Sequence, residues 1–204
     1  MKCDIVLAGV GGQGILSIAT ILGKAALKQN LYIKQAEVHG MSQRGGDVQS
    51  NLRISSKPIA SDLIPKGKAD LIVSLEPMEA LRYRQWLSPE GWTVTNTVPF
   101  VNIPVYPDSD KIMDSLREHG NLIAFDVDAV AKQHGSARTA NMVLLGACAP
   151  FIGIHASEIE DAIREIFAAK GEAIVEMNIK AFHAGLAEAD RLRTETETQV
   201  NTLQ

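Results

Sequence analysis

The chain has 204 residues, 46% hydrophobic and 22% charged, with a formal net charge of −4. These values fit a globular protein with a substantial core and give no electrostatic case for nucleic acid or an anionic membrane as partner. The two cysteines, Cys3 and Cys148, have no metal-ligand spacing, fit reduced thiols, and cannot by themselves hold an iron–sulfur cluster. Met1-Lys2-Cys3-Asp4 leads straight into an apolar run. The longest weakly polar stretch, Met142 to Ile154, is well short of a bilayer span. The expectation is a cytoplasmic protein with no leader and no membrane anchor.

In chain order, Ile5-Val6-Leu7-Ala8 predicts a strand that feeds a glycine cluster, and Ile15 to Gln29 predicts a helix with Ile18, Leu22 and Ala25 on one face. Asn30 is a stop, and Leu31 to Ala36 is a second strand that would complete a βαβ unit. Glu37 to Asp47 has no periodicity and reads as a loop. Val48 to Ile54 alternates strictly, which predicts a strand with one wet face in an antiparallel or edge position. Ala69 to Leu75 predicts a buried strand, and Glu76-Pro77 opens a helix through Trp86. Ser88 to Gly91 reads as a turn, Thr93 to Thr97 as a strand, and the stretch with Pro99, Pro104 and Pro107 as an irregular connection. Helices are expected at Asp110–His119, Val127–His134, Thr139–Phe151, Glu158–Lys170 and Ala173–Arg193, with a strand at Leu122–Phe125. The alternation predicts an α/β fold. Its sheet should be Rossmann-like and mostly parallel, with flanking helices and a helix-rich C-terminal third. Residues 1–193 would form one domain, followed by a polar, frayed tail at 194–204.

Two loops carry the chemistry. Gly9, Gly11 and Gly14 fall on the G-x-G-x-x-G spacing, with Gly12 and Gln13 between them, after a strand and before a helix. Such a turn lets an anion approach the backbone at a helix N-terminus. A dinucleotide fits less well, since only Lys34, Gln35 and Glu37 stand where an acidic ribose-binding residue should end the second strand. The second loop gathers His39, Gly40, Gln43, Arg44, Gly45 and Gly46. His39 suits proton donation or a structural hydrogen bond, and Arg44 suits a bidentate carboxylate or phosphate contact. Loops that each follow a strand are expected to meet outside the strands' carboxyl ends. Elsewhere the plainer readings hold: Glu79 and Arg82 on an exposed helix face, and Asn141 with Thr139 at a helix cap. Asp126 and Asp128 read as caps rather than metal ligands, and Met41, Met78 and Met142 as packing residues. Tyr83 and Trp86 would be anchors if the helix meets a partner.

The motifs A-G-V-G-G-Q-G (Ala8 to Gly14), A-E-V-H-G-M-S-Q-R-G-G (Ala36 to Gly46), L-E-P-M-E-A-L-R-Y (Leu75 to Tyr83) and N-M-V-L-L-G-A (Asn141 to Ala147) resemble the gamma component of the 2-oxoacid:ferredoxin oxidoreductases. Within that family the chain looks most like the small (beta) subunit of the indolepyruvate type. The resemblance implies oxidative decarboxylation of a 2-oxoacid, acyl transfer to coenzyme A and electron delivery to ferredoxin. It also implies that thiamine diphosphate, Mg and the iron–sulfur clusters sit on a larger partner subunit, with no cofactor on this chain and no catalytic residue assigned to it. The glycine turn would then meet a phosphate of coenzyme A, as a possible shared substrate, or a carboxylate or backbone of the partner. Family context adds Asn141 to the candidate site. The other class of reading is a stand-alone NAD(P)- or coenzyme A-binding Rossmann-like protein.

Overall fold

The structure is a computed structural model that describes residues 1–39, 45–101, 103–118 and 120–202. Its centre is a six-stranded mixed sheet, built from β1 (Lys2–Val10), β2 (Tyr32–His39), β3 (Asp47–Ser55), β4 (Ala69–Ser74), β5 (Leu87–Asn96) and β6 (Leu122–Phe125), in the order β2-β3-β1-β4-β5-β6. β1, β4, β5 and β6 run parallel, whereas β3 is antiparallel to both β1 and β2. The expected α/β class and mostly parallel sheet are therefore observed. Apolar side chains point to both faces of the central strands, which explains why Ile5 to Ala8 reads as an unbroken run.

Among the described residues, seven α-helices cover the sheet. On one face, α1 (Ile15–Lys28), α4 (Val127–Gln133), α5 (Ala140–Cys148), α6 (Ala156–Phe167) and α7 (Glu172–Thr202) bury Ile5, Leu7, Leu71, Val73 and Ile123. On the other, α2 (Pro77–Arg82) and α3 (Ser109–Arg117) close a smaller cluster around Val6, Ala8, Ile72 and Tyr83. α5 and α7 cross at backbone contact: a Cβ on Gly146 would lie 1.9 Å from the Phe182 carbonyl oxygen, and one on Gly185 would lie 1.8 Å from that of Val143. The helix-rich C-terminal third thus packs over the sheet as expected. α7 runs on to Thr202, through residues expected to fray, because the helical backbone does not stop at Arg193.

Three local expectations are corrected. Helix α1 does not join neighbouring strands, since β3 inserts between β1 and β2 and the simple βαβ unit is split. Ser88 to Gly91 is not a turn but the bulged first half of β5, where the register jumps from Ala69↔Leu87 to Leu71↔Trp92; Pro89 is tolerated there because a bulge needs no ladder N–H. The wet face of β3 is largely covered. Asn51 accepts the Ile64 N–H at 3.3 Å, and Arg53 forms a bidentate pair with buried Asp4 at 2.8 and 3.0 Å. The chain after β3 folds back over these polar groups, giving them partners in place of water.

Candidate functional site at the strand carboxyl ends

Neighbouring parallel strands β1 and β4 send their chains to opposite faces, β1 into α1 and β4 into α2. A crevice opens at such a switch point, outside the strand carboxyl ends. Gln13 spans it. Its Oε1 accepts the Val10 N–H at 2.7 Å and its Nε2 donates to the Leu75 carbonyl at 3.1 Å, so one amide ties the end of β1 to the end of β4.

Gly14, the N-cap of α1, has φ +83°, and a Cβ there would sit 2.8 Å from Asn141 Nδ2. Both the left-handed backbone and the close neighbour call for glycine. Asn141 Nδ2 donates to the Gly14 carbonyl at 3.3 Å, and the N-cap of α5 makes no side-chain capping bond. The capping expectation for Asn141 is therefore overturned: tertiary packing sends its amide to the glycine turn 127 residues away in sequence.

The two glycine loops meet. The Gly11 N–H donates to the Gly46 carbonyl at 2.8 Å, and the Gly45 N–H reaches back to the Gly11 carbonyl at 3.4 Å. His39 ends β2 opposite Val48. Gly40, Gln43 and Arg44, with Met41, lie outside the described residues. The loop contact changes what the turn offers an anion, because the N–H groups of Gly11 and Gln13 are already bonded, the latter to Val10 at 3.1 Å. A dinucleotide is further disfavoured by topology. β3 separates the end of β2, and with it Glu37, from the glycine turn by one strand.

A cavity of about 350 Å³ lies beside this turn, lined by Gly12, Gln13, Leu75, Asn96, Asp128 and Asn141, with Arg138 on its wall. Asn96 is held rigidly: its amide donates to Asp128 at 2.9 Å, and its oxygen accepts the N–H groups of Val98 and Val127 at 3.2 and 3.1 Å. Asp126 caps α4 by accepting the Ala129 N–H at 2.8 Å, as expected. The lining offers amides, one carboxylate and one guanidinium, a set suited to binding and orienting a polar group. Both thiols are remote from this chemistry, as burial pushes Cys3 up to about 12 and Cys148 higher still.

The sequence places Glu76 at a helix start and gives it no further role. Glu76 is fully buried at the N-cap of α2, where it accepts the Glu79 N–H at 2.8 Å, the Phe100 N–H at 3.4 Å and the Tyr106 hydroxyl. The signal was present in Glu76-Pro77 with Glu79 three residues on, an acidic cap before proline. Glu79 is buried too, not on an exposed face. Burial pushes its carboxyl up, although Arg82 Nε lies 2.8 Å away and opposes the shift. Tyr83 belongs to the smaller core rather than an open surface, and burial, aided by Asp47, pushes its phenol up to about 12.

With this geometry in view, the similarity to known proteins is informative. The chain is 38% identical over 199 residues to the indolepyruvate oxidoreductase subunit IorB of Pyrococcus horikoshii, covering 93% of this chain and 96% of that one. Among solved structures, it resembles the keto/oxoacid ferredoxin oxidoreductase gamma subunit of Geobacter sulfurreducens, with a TM-score of 0.66 and 26% identity over 92% of this chain and 98% of that one. The fold also matches 2-oxoglutarate:ferredoxin oxidoreductase of Magnetococcus marinus, with a TM-score of 0.74 and 22% identity; there 93% of this chain corresponds to 31% of a longer polypeptide. The model of the pyruvate ferredoxin/flavodoxin oxidoreductase family matches residues 4–188, and the chain belongs to that family.

Proposed function

We propose that this chain is the small subunit of an indolepyruvate-type 2-oxoacid:ferredoxin oxidoreductase, completing an active site whose cofactors reside on a larger partner. What carries the reading is the 38% identity to the Pyrococcus subunit over nearly the full length of both chains. Among the described residues no three His, Cys, Asp or Glu side chains are grouped to hold a metal ion, and both cysteines are buried thiols. In this reading thiamine diphosphate, its magnesium ion and the iron–sulfur clusters reside on the partner, where thiamine supplies the electron sink for decarboxylation. On this chain, Gln13 and Asn141 stiffen the glycine turn, and Gly45 and Gly46 hold the second loop against it. His39, Gln43 and Arg44 are the proposed ligand- or partner-binding residues of the second loop, and the cavity beside the glycine turn would receive part of coenzyme A or a partner segment. Residues 1–193 act as one domain in this reading. The complex works in the cytoplasm, in keeping with the free thiols and with the lack of any described helix long and apolar enough to cross a membrane.

The test is reconstitution. The isolated chain should have no 2-oxoacid oxidase activity, whereas adding the larger subunit should give indolepyruvate- and coenzyme A-dependent reduction of ferredoxin. Arg44→Ala should lower kcat/KM about tenfold, the worth of one charge-assisted hydrogen bond. Robust turnover by the chain alone, or a purified chain carrying bound NAD(P), would overturn the reading.

A further inference from the structure

The connection from β5 to α3 carries a concentrated load of exposed apolar surface. Of the ten large apolar side chains exposed among the described residues, five lie between positions 98 and 105: Val98, Phe100, Val101, Ile103 and Val105. Val101 and Val105 are 66% and 82% exposed. Apolar exposure concentrated in one short segment points to an interaction surface, because water gains from its removal. Residues 98 to 105 include no charged side chain, so long-range electrostatic attraction contributes little at this spot.

The segment is tied down at both ends before anything binds it. Pro99, Pro104 and Pro107 restrict its backbone. The buried Glu76 carboxylate accepts from both ends, from the Phe100 N–H and from the Tyr106 hydroxyl. A surface ordered in advance gives up less conformational entropy on association. Its base belongs to the site already described, since Val98, Pro99 and Phe100 line the cavity beside the glycine turn. A partner seated on Val101, Ile103 and Val105 therefore borders that cavity. The occupant is suggested by the Magnetococcus protein, in which the same fold forms 31% of one longer polypeptide. There the larger remainder is joined covalently, whereas a separate chain holds such a companion only by burying surface.

We propose that Val98, Phe100, Val101, Ile103 and Val105 form the docking surface for the larger, cofactor-carrying subunit, entering an apolar groove on it. The inference rests on the functional reading above. The test measures binding of purified larger subunit to the full chain and to a Val101→Ser, Ile103→Ser, Val105→Ser variant, at low and high salt. Wild type should bind with little salt dependence. The variant should keep the wild-type melting temperature and circular dichroism but bind about 30-fold more weakly, the scale of a lost hot spot. Ferredoxin reduction should return when the partner is raised to saturation. Should the triple variant misfold, Val105→Ser alone still tests the surface, with a weakening of about threefold expected. Unchanged affinity overturns the docking surface while leaving the functional reading intact. The same holds if the substitutions abolish self-association of the chain, or its binding to neutral lipid vesicles, without affecting the larger subunit. A wild-type chain that does not bind the larger subunit overturns both.

Discussion

The crossing of α5 and α7 and the rim at the strand carboxyl ends are built on opposite terms. At the crossing, Gly146 and Gly185 bring two helix backbones into direct contact, and no added atom fits. At the rim, single side chains hold the backbone across gaps that packing leaves open: Gln13 between β1 and β4, Asn141 at Gly14, Glu76 at Phe100 and Tyr106. Close packing resists change because every displaced atom meets another. Each hydrogen-bond clasp contributes only about 1 kcal/mol net. Stability should therefore reside at the crossing, and function should be sensitive at the rim.

The largest expected effect breaks the crossing. Gly146→Ala drives a methyl to 1.9 Å from the Phe182 carbonyl oxygen and should cost about 3 kcal/mol or more, lowering Tm by roughly 6–12 °C in a thermal melt. Gln13→Ala should separate the two regions. It removes two bonds worth roughly 1–3 kcal/mol together, while ferredoxin reduction by the reconstituted complex falls more than about tenfold from misplacement of the turn. If Gln13→Ala costs Tm but leaves activity intact, the rim is structural only.

Tyr106→Phe removes one clasp on the apolar segment and should weaken binding of the larger subunit about fivefold, equivalent to ~1 kcal/mol, as read by titration calorimetry. The smallest effect is in pH dependence. Because burial raises the Glu79 carboxyl above its unfolded value of 4.5, its contribution favours the fold below that pH and is lost as pH rises through the raised value. The Tm of Glu79→Gln relative to wild type should therefore be higher at pH 7 than at pH 4. The opposite trend would mean that the Arg82 pair, not burial, dominates at that site.

Much of the molecule was legible in the chain because local signals agree with the fold. The apolar run at Ile5–Ala8, the proline after Glu76 and the aspartate at 126 each act within a few residues, and each element forms where its own pattern directs. The glycine loops were legible for the same reason, and Gly11 and Gly46 do meet. Partner choice across the sheet was not. Nothing local tells Leu31–Ala36 that β3 will come between it and β1, and nothing around Ser88-Pro89 distinguishes a turn from a bulge.

The order of residues alone settles the class of the fold, the two glycine loops and the family, since these rest on periodicity and on motifs written in consecutive residues. Tertiary structure alone decided that Asn141 serves Gly14 instead of its own helix, that Glu79 is buried, and that one carboxylate at Glu76 clasps a segment reaching thirty residues onward to Tyr106. The reason is physical: a buried polar group must find a partner, and which partner is in reach depends on how distant segments pack.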